Sequence, residues 1–281
     1  HPPKKPWSVL IHALEHPFPE YDQISKSLHW LPHQRFEDCM LSWASVGGSV
    51  GRHCDEFSVF LIQLNGRRTW EIGPEATVET PTVPGQPIAL VEPLDPWTSW
   101  TAHPGDVLYL PPKIIHHGVS LDPDCMTLSI GFRAPDAGAL LEGALETLDR
   151  QSNIPRFNDA GRQYHGQPAE ILASDLLEAK AAIIRYLEQP EVLEHLLATR
   201  VTTPYLDLDT HQEISDEDID QQIESVTQWE LDPGCRMAYV NQTVYINGER
   251  IGDQTPSALL HLANTRTVQS ADIRKLQGLW L

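Results

Sequence analysis

The residues best placed to do chemistry begin in the run Gly47-Gly48-Ser49-Val50-Gly51-Arg52-His53-Cys54-Asp55. Side chains alternate along an extended chain, so His53 and Asp55 project to one side and Cys54 to the other. An imidazole and a carboxylate on one face supply two ligands for a divalent metal. A lone His-x-Asp pair is weak evidence, since it also fits a solvated strand end. A second stretch, Pro104-Gly105-Asp106-Val107-Leu108-Tyr109-Leu110-Pro111-Pro112, reads as a turn, a buried strand and a stop, and His116 follows four residues later. Two histidines and one carboxylate with open positions suit non-haem Fe(II), which leaves room for a chelating cosubstrate and dioxygen. His117 is the rival ligand. Adjacent strand residues face opposite ways, so only one of the pair should bind, and its spacing from the Pro-Pro stop favours His116.

The third element is Phe60-Leu61-Ile62-Gln63-Leu64-Asn65-Gly66-Arg67-Arg68-Thr69-Trp70, in which Asn65-Gly66 is a two-residue turn signal. Hairpin pairing across it sets Gln63 opposite Arg68 and Ile62 opposite Thr69. Arg68 and Trp70 then share one face, and Arg67 points to the other. A buried guanidinium beside a metal needs an anion, because an unpaired buried charge is costly. A dicarboxylate cosubstrate provides one, chelating metal at one end and meeting Arg68 at the other. An internal Arg–Glu pair, or an Arg68 that reaches solvent, is the plainer alternative. Eight residue steps from Asp55 to Gln63 span roughly 26 Å when extended, beyond the reach of an Arg side chain plus a five-carbon diacid. The chain must therefore bend near Glu56-Phe57, which predicts a rolled sheet.

Three textures position these residues. From about Phe36 to Pro135 the chain alternates short β-rich runs with Gly, Pro and Asn: Ser58–Leu64, Thr69–Ile72, Asp106–Leu110 and Met126–Phe132. On the last run the small polar set Cys125, Thr127, Ser129 and Gly131 alternates with Met126, Leu128 and Ile130, as suits a barrel wall facing a ligand or a half-solvated strand. From about Asp136 to Arg200 the period becomes helical, through Leu140, Leu141, Ala144, Leu145 and Leu148, then Leu172, Leu176, Leu177, Ile183, Ile184 and Leu187. Gln189-Pro190 marks a boundary before another apolar-faced helix, Val192–Leu197. The third texture opens with Asp207, Asp209, Glu213, Asp216, Glu217, Asp218, Asp220, Glu224, Glu230 and Asp232, with no Lys or Arg between Arg200 and Arg236. Strands over Met237–Val240, Thr243–Ile246 and Glu249–Ile251, a turn at Asn247-Gly248 and a helix over Ser257–Ala263 suggest a winged-helix-like unit.

The 281 residues allow two or three domains, and 41% hydrophobic with 21% charged residues is a globular balance. The net charge of −19 argues against direct nucleic-acid binding and suits a basic partner, although solubility alone would also explain it. No run of 18 apolar residues occurs, so no membrane span is expected. Cys39, Cys54, Cys125 and Cys235 are scattered without a Cys-x-x-Cys pair, as reduced thiols of a cytoplasmic protein would be. The first residue is His1, which suggests that an upstream segment has been removed or is not shown.

The pattern Gly47-x5-His53-x-Asp55-x10-Gly66, followed by Gly105-x5-Pro111-x4-His116, resembles the two cupin motifs as JmjC-type oxygenases use them. Val59 stands where the general pattern has Glu, and Lys113 replaces the usual Gly of the second motif. Five stretches are similar to bacterial ribosomal oxygenases of the YcfD type, the arginine hydroxylases of large-subunit ribosomal protein sixteen. They are Val50-Gly51-x-His53-x-Asp55, Gly66-Arg67-Arg68-x-Trp70, Gly105-Asp106-x-Leu108-Tyr109-x-Pro111-Pro112, Ser129-x-Gly131-Phe132-Arg133-Ala134-Pro135 and Val244-Tyr245-x-Asn247-Gly248-Glu249. The resemblance implies an α+β chain. A double-stranded β-helix (cupin) barrel would occupy residues 1–135, a helical dimerisation region 136–200 and a winged-helix-like domain 201–281. It implies Fe(II), 2-oxoglutarate and dioxygen, with His53, Asp55 and His116 on iron and Arg68 on the distal carboxylate. Ser42 and Thr127 match positions lining the cosubstrate pocket. A basic ribosomal protein would be the substrate and a homodimer the assembly. Family members carry a β-containing portion upstream of the region matching Trp7-Ser8, and its absence leaves early substrate contacts unassigned.

The implied reaction is oxidative decarboxylation of 2-oxoglutarate to succinate and CO2, coupled to hydroxylation of a substrate carbon. Competing readings are a related oxygenase of another residue or of a small molecule, a cupin of another class such as a sugar isomerase or thiol dioxygenase, and a ligand-sensing barrel fused to a winged helix as a regulator. Arg68, and Asp55 where a His-x-His cupin has histidine, speak against the second. The cation-free stretch before Arg236 speaks against the third, although Arg250, Arg266, Arg274 and Lys275 leave weak DNA binding open.

Overall fold

In the computed structural model the described residues are 5–18, 20, 23, 24, 27, 28, 30–148, 154–156, 163, 167, 169–189, 192–204, 221, 223–252 and 256–276. They fall in two compact units, one within residues 1–134 together with Asp232–Cys235, the other comprising most of the remainder from Pro135 onward.

The first unit is built from strands β1 (Ser8–Ile11), β2 (Phe36–Ala44), β3 (Ser58–Asn65), β4 (Arg68–Glu75), β5 (Thr98–Ala102), β6 (Val107–Leu110), β7 (Ile114–Ser120) and β8 (Cys125–Phe132). They form a five-stranded sheet in the order β1-β2-β8-β3-β6 and a three-stranded sheet in the order β5-β4-β7, every pairing antiparallel. β8 is covered on both faces. Leu128 and Ile130 are fully buried with Leu14, Phe36, Cys39 and Phe132, while Thr127 and Ser129 turn to the opposite side and line a cavity. Val59, Leu61, Trp70, Ala102 and Leu110 form a second apolar cluster. Val59, at the position of the cupin Glu, is thus a core residue. The rolled arrangement follows the bend anticipated before Ser58.

The expected hairpin at Asn65-Gly66 does not form. β3 pairs with β8 and β6, and β4 pairs with β5 and β7, so the turn carries the chain from one sheet to the other. Gln63 lies opposite Thr127, and Arg68 opposite Ala102 and Ser120. The turn is held from outside. Asn65 Nδ2 donates to Asp124 O at 2.7 Å, and Arg67 N–H and Nε both donate to Asp122 Oδ2 at 2.9 Å. Gly66 has φ +66, and a Cβ there would lie 3.2 Å from Cys125 Cα. The Asn-Gly conformation is therefore required for tertiary docking, with no strand pairing across it.

The second unit contains helices α1 (Ala137–Leu148), α2 (Ala173–Leu187) and α3 (Val192–Thr202), then β9 (Gln228–Glu230), β10 (Met237–Val240), β11 (Thr243–Ile246), β12 (Glu249–Ile251), α4 (Ser257–Thr265), β13 (Thr267–Gln269) and α5 (Ser270–Leu276). Ala144, Tyr186, Val192 and Leu196 pack together across the first three helices. β10, β11 and β12 form a three-stranded ribbon, with Asn247 at φ 49 and Gly248 at φ 88 turning Ile246 onto Glu249. Asp207, Asp209, Glu213, Asp216, Glu217, Asp218 and Asp220 lie outside the described residues. No helix among the described residues is long and apolar enough to cross a membrane.

Candidate metal centre

His53 and Asp55 do not lie within a named strand; β3 starts only at Ser58. His53 is instead fastened to β7 by an isolated antiparallel bridge, its N–H donating to His116 O at 3.0 Å and His116 N–H donating to His53 O at 2.8 Å. Lys113 N–H donates to Asp55 O at 2.7 Å and fixes the carboxylate end of the segment. Lys113 itself has φ 64, the left-handed conformation in which the related motif has Gly.

The protonation of both imidazoles follows from their neighbours. His53 Nδ1 lies 3.0 Å from Gly51 O, and His116 Nδ1 lies 2.9 Å from Ile114 O. A carbonyl oxygen only accepts, so each Nδ1 carries a proton, and the neutral tautomer that fits this contact presents its Nε2 lone pair. These Nε2 atoms lie 3.8 Å and 3.7 Å from the two Asp55 oxygens. The donor atoms of His53, Asp55 and His116 all fall within 4.8 Å of one another. Burial and the neighbouring His53 push His116 down to about 4, which favours the neutral form a metal needs. The donor set of two imidazoles and one carboxylate fits a divalent first-row ion and leaves further positions for other ligands. His117 faces away, with Nδ1 3.1 Å from Glu71 Oε2, and Arg52 Nη2 donates to the same oxygen at 2.8 Å. His117 and Arg52 both hold the Glu71 carboxyl below its ordinary range, with the His117 hydrogen bond the larger effect.

Arg68 is 2% exposed, so it does not reach solvent. Its Nη2 donates to Ser42 Oγ at 3.2 Å and its Nε has no acceptor. Its guanidinium carbon lies 5.7 Å from the centre of the Trp70 ring. Burial draws its pKa downward, with Cys125 opposing in part. The alternative of an internal Arg–Glu pair does not hold among the described residues. Ser42 faces Thr127 across β2 and β8, and Thr127 faces Gln63 across β8 and β3. Thr127 Oγ1 donates to Gln63 Oε1 at 2.7 Å, and Gln63 Nε2 donates to Asn65 O and Gly66 O at 2.9 and 3.0 Å. Gln63 is therefore occupied in bracing Thr127 and the sheet-crossing turn, and no carboxylate among the described residues pairs with Arg68.

A cavity of about 360 Å³ joins the groups, touching His53, Asp55, His116, Arg68, Ser42 and Thr127. Trp70 forms part of its wall, and opposite it Gly118 must lack a Cβ, which would come within 2.6 Å of the indole. Sequence reasoning missed two acidic members, Glu37 and Asp38. A register irregularity in β2 between Phe36 and Cys39 lets these consecutive residues both face the cavity. Glu37 takes a bidentate pair from Arg133 at 2.8 and 2.6 Å, and Asp38 Oδ2 lies 2.8 Å from His12 Nδ1. Period-two alternation puts Glu37 and Asp38 on opposite faces, so no local pattern announced them. Gln63 was also missed as a brace, although it stood in the turn segment.

Residues 23–140 match the JmjC domain family, and residues 185–277 match the ROXA-like winged helix. The chain therefore carries a JmjC domain and a ROXA-like winged helix, each over the residues matched. The chain is 28% identical over 262 residues to the Escherichia coli K12 "Ribosomal protein uL16 3-hydroxylase", covering 92% of this chain and 70% of that protein. It is 30% identical over 260 residues to a Haemophilus influenzae Rd protein named "Probable ribosomal oxygenase", covering 86% of this chain and 63% of that one. The chain thus spans roughly two thirds of the length of these relatives. The structure of the Escherichia coli ribosomal oxygenase YcfD in complex with cobalt and 2-oxoglutarate is similar with TM-score 0.79 and 26% identity, over 98% of this chain and 78% of that one.

Proposed function

We propose that this protein is an Fe(II)- and 2-oxoglutarate-dependent oxygenase that hydroxylates a ribosomal protein, with an arginine of uL16 as the target. The observation that carries the reading is Arg68, a buried cation with an unused Nε and no carboxylate partner among the described residues, in the same cavity as His53, Asp55 and His116. The names of the two curated relatives and the cobalt and 2-oxoglutarate complex of YcfD support it.

In this reading His53, Asp55 and His116 hold the iron, and the bound iron supplies the activation of dioxygen that accompanies oxidative decarboxylation of 2-oxoglutarate. Arg68 takes the distal carboxylate of the cosubstrate in a charge-assisted fork that uses the vacant Nε. Ser42 and Thr127 complete the polar wall around that carboxylate. Trp70 and Leu61 exclude water, which strengthens the ion pair. Asp38, its side chain 10% exposed on the cavity wall, receives a cationic substrate group and favours arginine over a neutral side chain. The −19 charge draws a basic substrate in by long-range attraction, raising encounter rate more than affinity. The division into a barrel (1–135), a helical region (136–200) and a winged-helix domain (201–281) is retained, with action in the cytoplasm. Leu176, Leu177 and Ile183 on α2 are 64%, 68% and 56% exposed, an apolar surface that suits a homodimer. Light scattering should return twice the monomer mass, and Leu177→Glu should halve it.

The deciding experiment incubates the protein with uL16, Fe(II), 2-oxoglutarate and air, followed by peptide mass spectrometry. A single added oxygen on an arginine supports the whole reading. Oxygen on another residue replaces the target, and no oxygen on uL16 with succinate still formed removes the ribosomal substrate.

A further inference from the structure

Ile88 and Ala89 reach the cavity from outside both sheets, within the segment that joins β4 to β5. The segment folds back on itself through a Thr82–Val91 bridge, with Val83 N–H donating to Leu90 O at 2.8 Å and Glu92 N–H to Pro81 O at 3.0 Å. Gly85, at φ +74 with open space where a Cβ would stand, lies in its reversal. The base of this small hairpin is tied to the metal segment. Val91 N–H donates to Arg52 O at 2.8 Å, one residue before His53. Leu90 covers Gly51 so closely that a Cβ there would lie 2.9 Å from Leu90 Cδ2. Arg52 is in turn paired with Glu71 on β4. Ile88 is therefore held in fixed relation to His53, although it belongs to neither sheet.

Ile88 is also 45% exposed while lining the cavity, so it stands where the cavity opens. A large apolar side chain rigidly presented at such a mouth is a contact for whatever enters. We propose that Ile88 is a specificity-determining residue that packs against apolar surface of the protein substrate beside the target side chain, with the Thr82–Val91 hairpin setting its distance from the metal ligands. The inference rests on the oxygenase reading above and adds a recognition element to it. The occupant is the aliphatic part of the basic protein chain at the cavity mouth, the cationic end being drawn inward to Asp38.

The test measures binding without turnover. Manganese-loaded protein with saturating 2-oxoglutarate is titrated with uL16 under argon, for the wild type, Ile88→Ala and Ile88→Leu. Removing the side chain should weaken uL16 binding about tenfold, the scale of a missing apolar group in a recognition pocket, and leucine should restore most of it. Melting temperature and 2-oxoglutarate affinity, measured on the same samples, distinguish weakened recognition from a damaged fold. Equal uL16 affinity for the wild type and Ile88→Ala overturns the inference and leaves the oxygenase reading standing. A wild type that binds manganese and 2-oxoglutarate but not uL16 overturns the substrate assignment and the role of Ile88 together.

Discussion

His53 and His116 are joined by a reciprocal pair of backbone hydrogen bonds, 3.0 and 2.8 Å long. The two imidazoles therefore take their spacing from a backbone bridge between the Gly51–Asp55 segment and β7, independent of side-chain packing. With both Nδ1 atoms committed to carbonyls, the bridge holds two Nε2 lone pairs on either side of the Asp55 carboxylate.

Removing a ligand should abolish metal binding while leaving the backbone bridge in place. His53→Ala and Asp55→Ala are expected to lower iron affinity and 2-oxoglutarate turnover by at least about 100-fold, the upper end of what even outer-shell partners contribute. Wild-type protein stripped with a chelator should behave alike and recover with Fe(II). Full turnover in either variant contradicts the assignment.

The depressed pKa of His116 gives metal-free protein a pH dependence of known sign. Unfolded His titrates near 6.5 and the folded residue at about 4, so between these values the unfolded chain binds more protons. The His116 contribution should fall as pH drops from about 6.5 to about 4, by up to roughly 3 kcal/mol, and stay constant outside that window. Urea midpoints of apo protein across this range, compared with those of His116→Gln, should show a shallower slope in the variant, the difference being the contribution of His116.

Arg68→Ala should raise the concentration of 2-oxoglutarate needed for half-saturation by roughly 100-fold, since a hydrogen bond to a charged group is worth about 1.5–3 kcal/mol and the distal carboxylate would lose its cation. Iron binding should persist. An unaltered saturation curve would place the distal carboxylate elsewhere.

Lys113→Gly should stabilise the fold by about 1 kcal/mol, because φ 64 costs a side-chain-bearing residue what glycine does not incur. The substitution also removes the exposed Lys113–Glu56 ion pair at 3.7 Å, which contributes little. A higher urea midpoint with an unchanged slope is the expected signature.

Added salt should lower kcat/KM for uL16 steeply, while kcat at saturating substrate changes little, if the −19 charge acts through encounter. A salt-independent kcat/KM would make the acidity a solubility feature only.

The sequence carried the centre further than it carried the scaffold. His53, Asp55 and His116 could be grouped from ligand type and spacing, His117 being set aside by alternation together with the distance from the Pro-Pro stop. The residues around Arg68 left an internal Arg–Glu pair open, and only the resemblance pointed to its place beside the metal ligands. Asn65-Gly66 misled because a tight turn fixes only local dihedral angles, while the partners of the flanking strands are chosen by burial elsewhere. Glu37 and Asp38 stayed hidden because an irregularity in β2 breaks the alternation on which facing is read. Gln63 looked like half of a cross-strand pair with Arg68. Its amide instead braces Thr127 and the crossing turn, a bond pattern that exists only once β8 is in place.

That dependence on β8 has a consequence for how the protein is made. β8 is the last strand of its sheet in sequence, yet it lies between β2 and β3 in space. Until residues 125–132 have been synthesised, neither β2 nor β3 can make its pairing with β8, so each lacks a partner along one edge. The Arg68 pocket also lacks Thr127 until then. The joining of β2 and β3 in one sheet thus waits on β8, and the yield of the protein should respond to chaperone supply and to translation speed between β3 and β8.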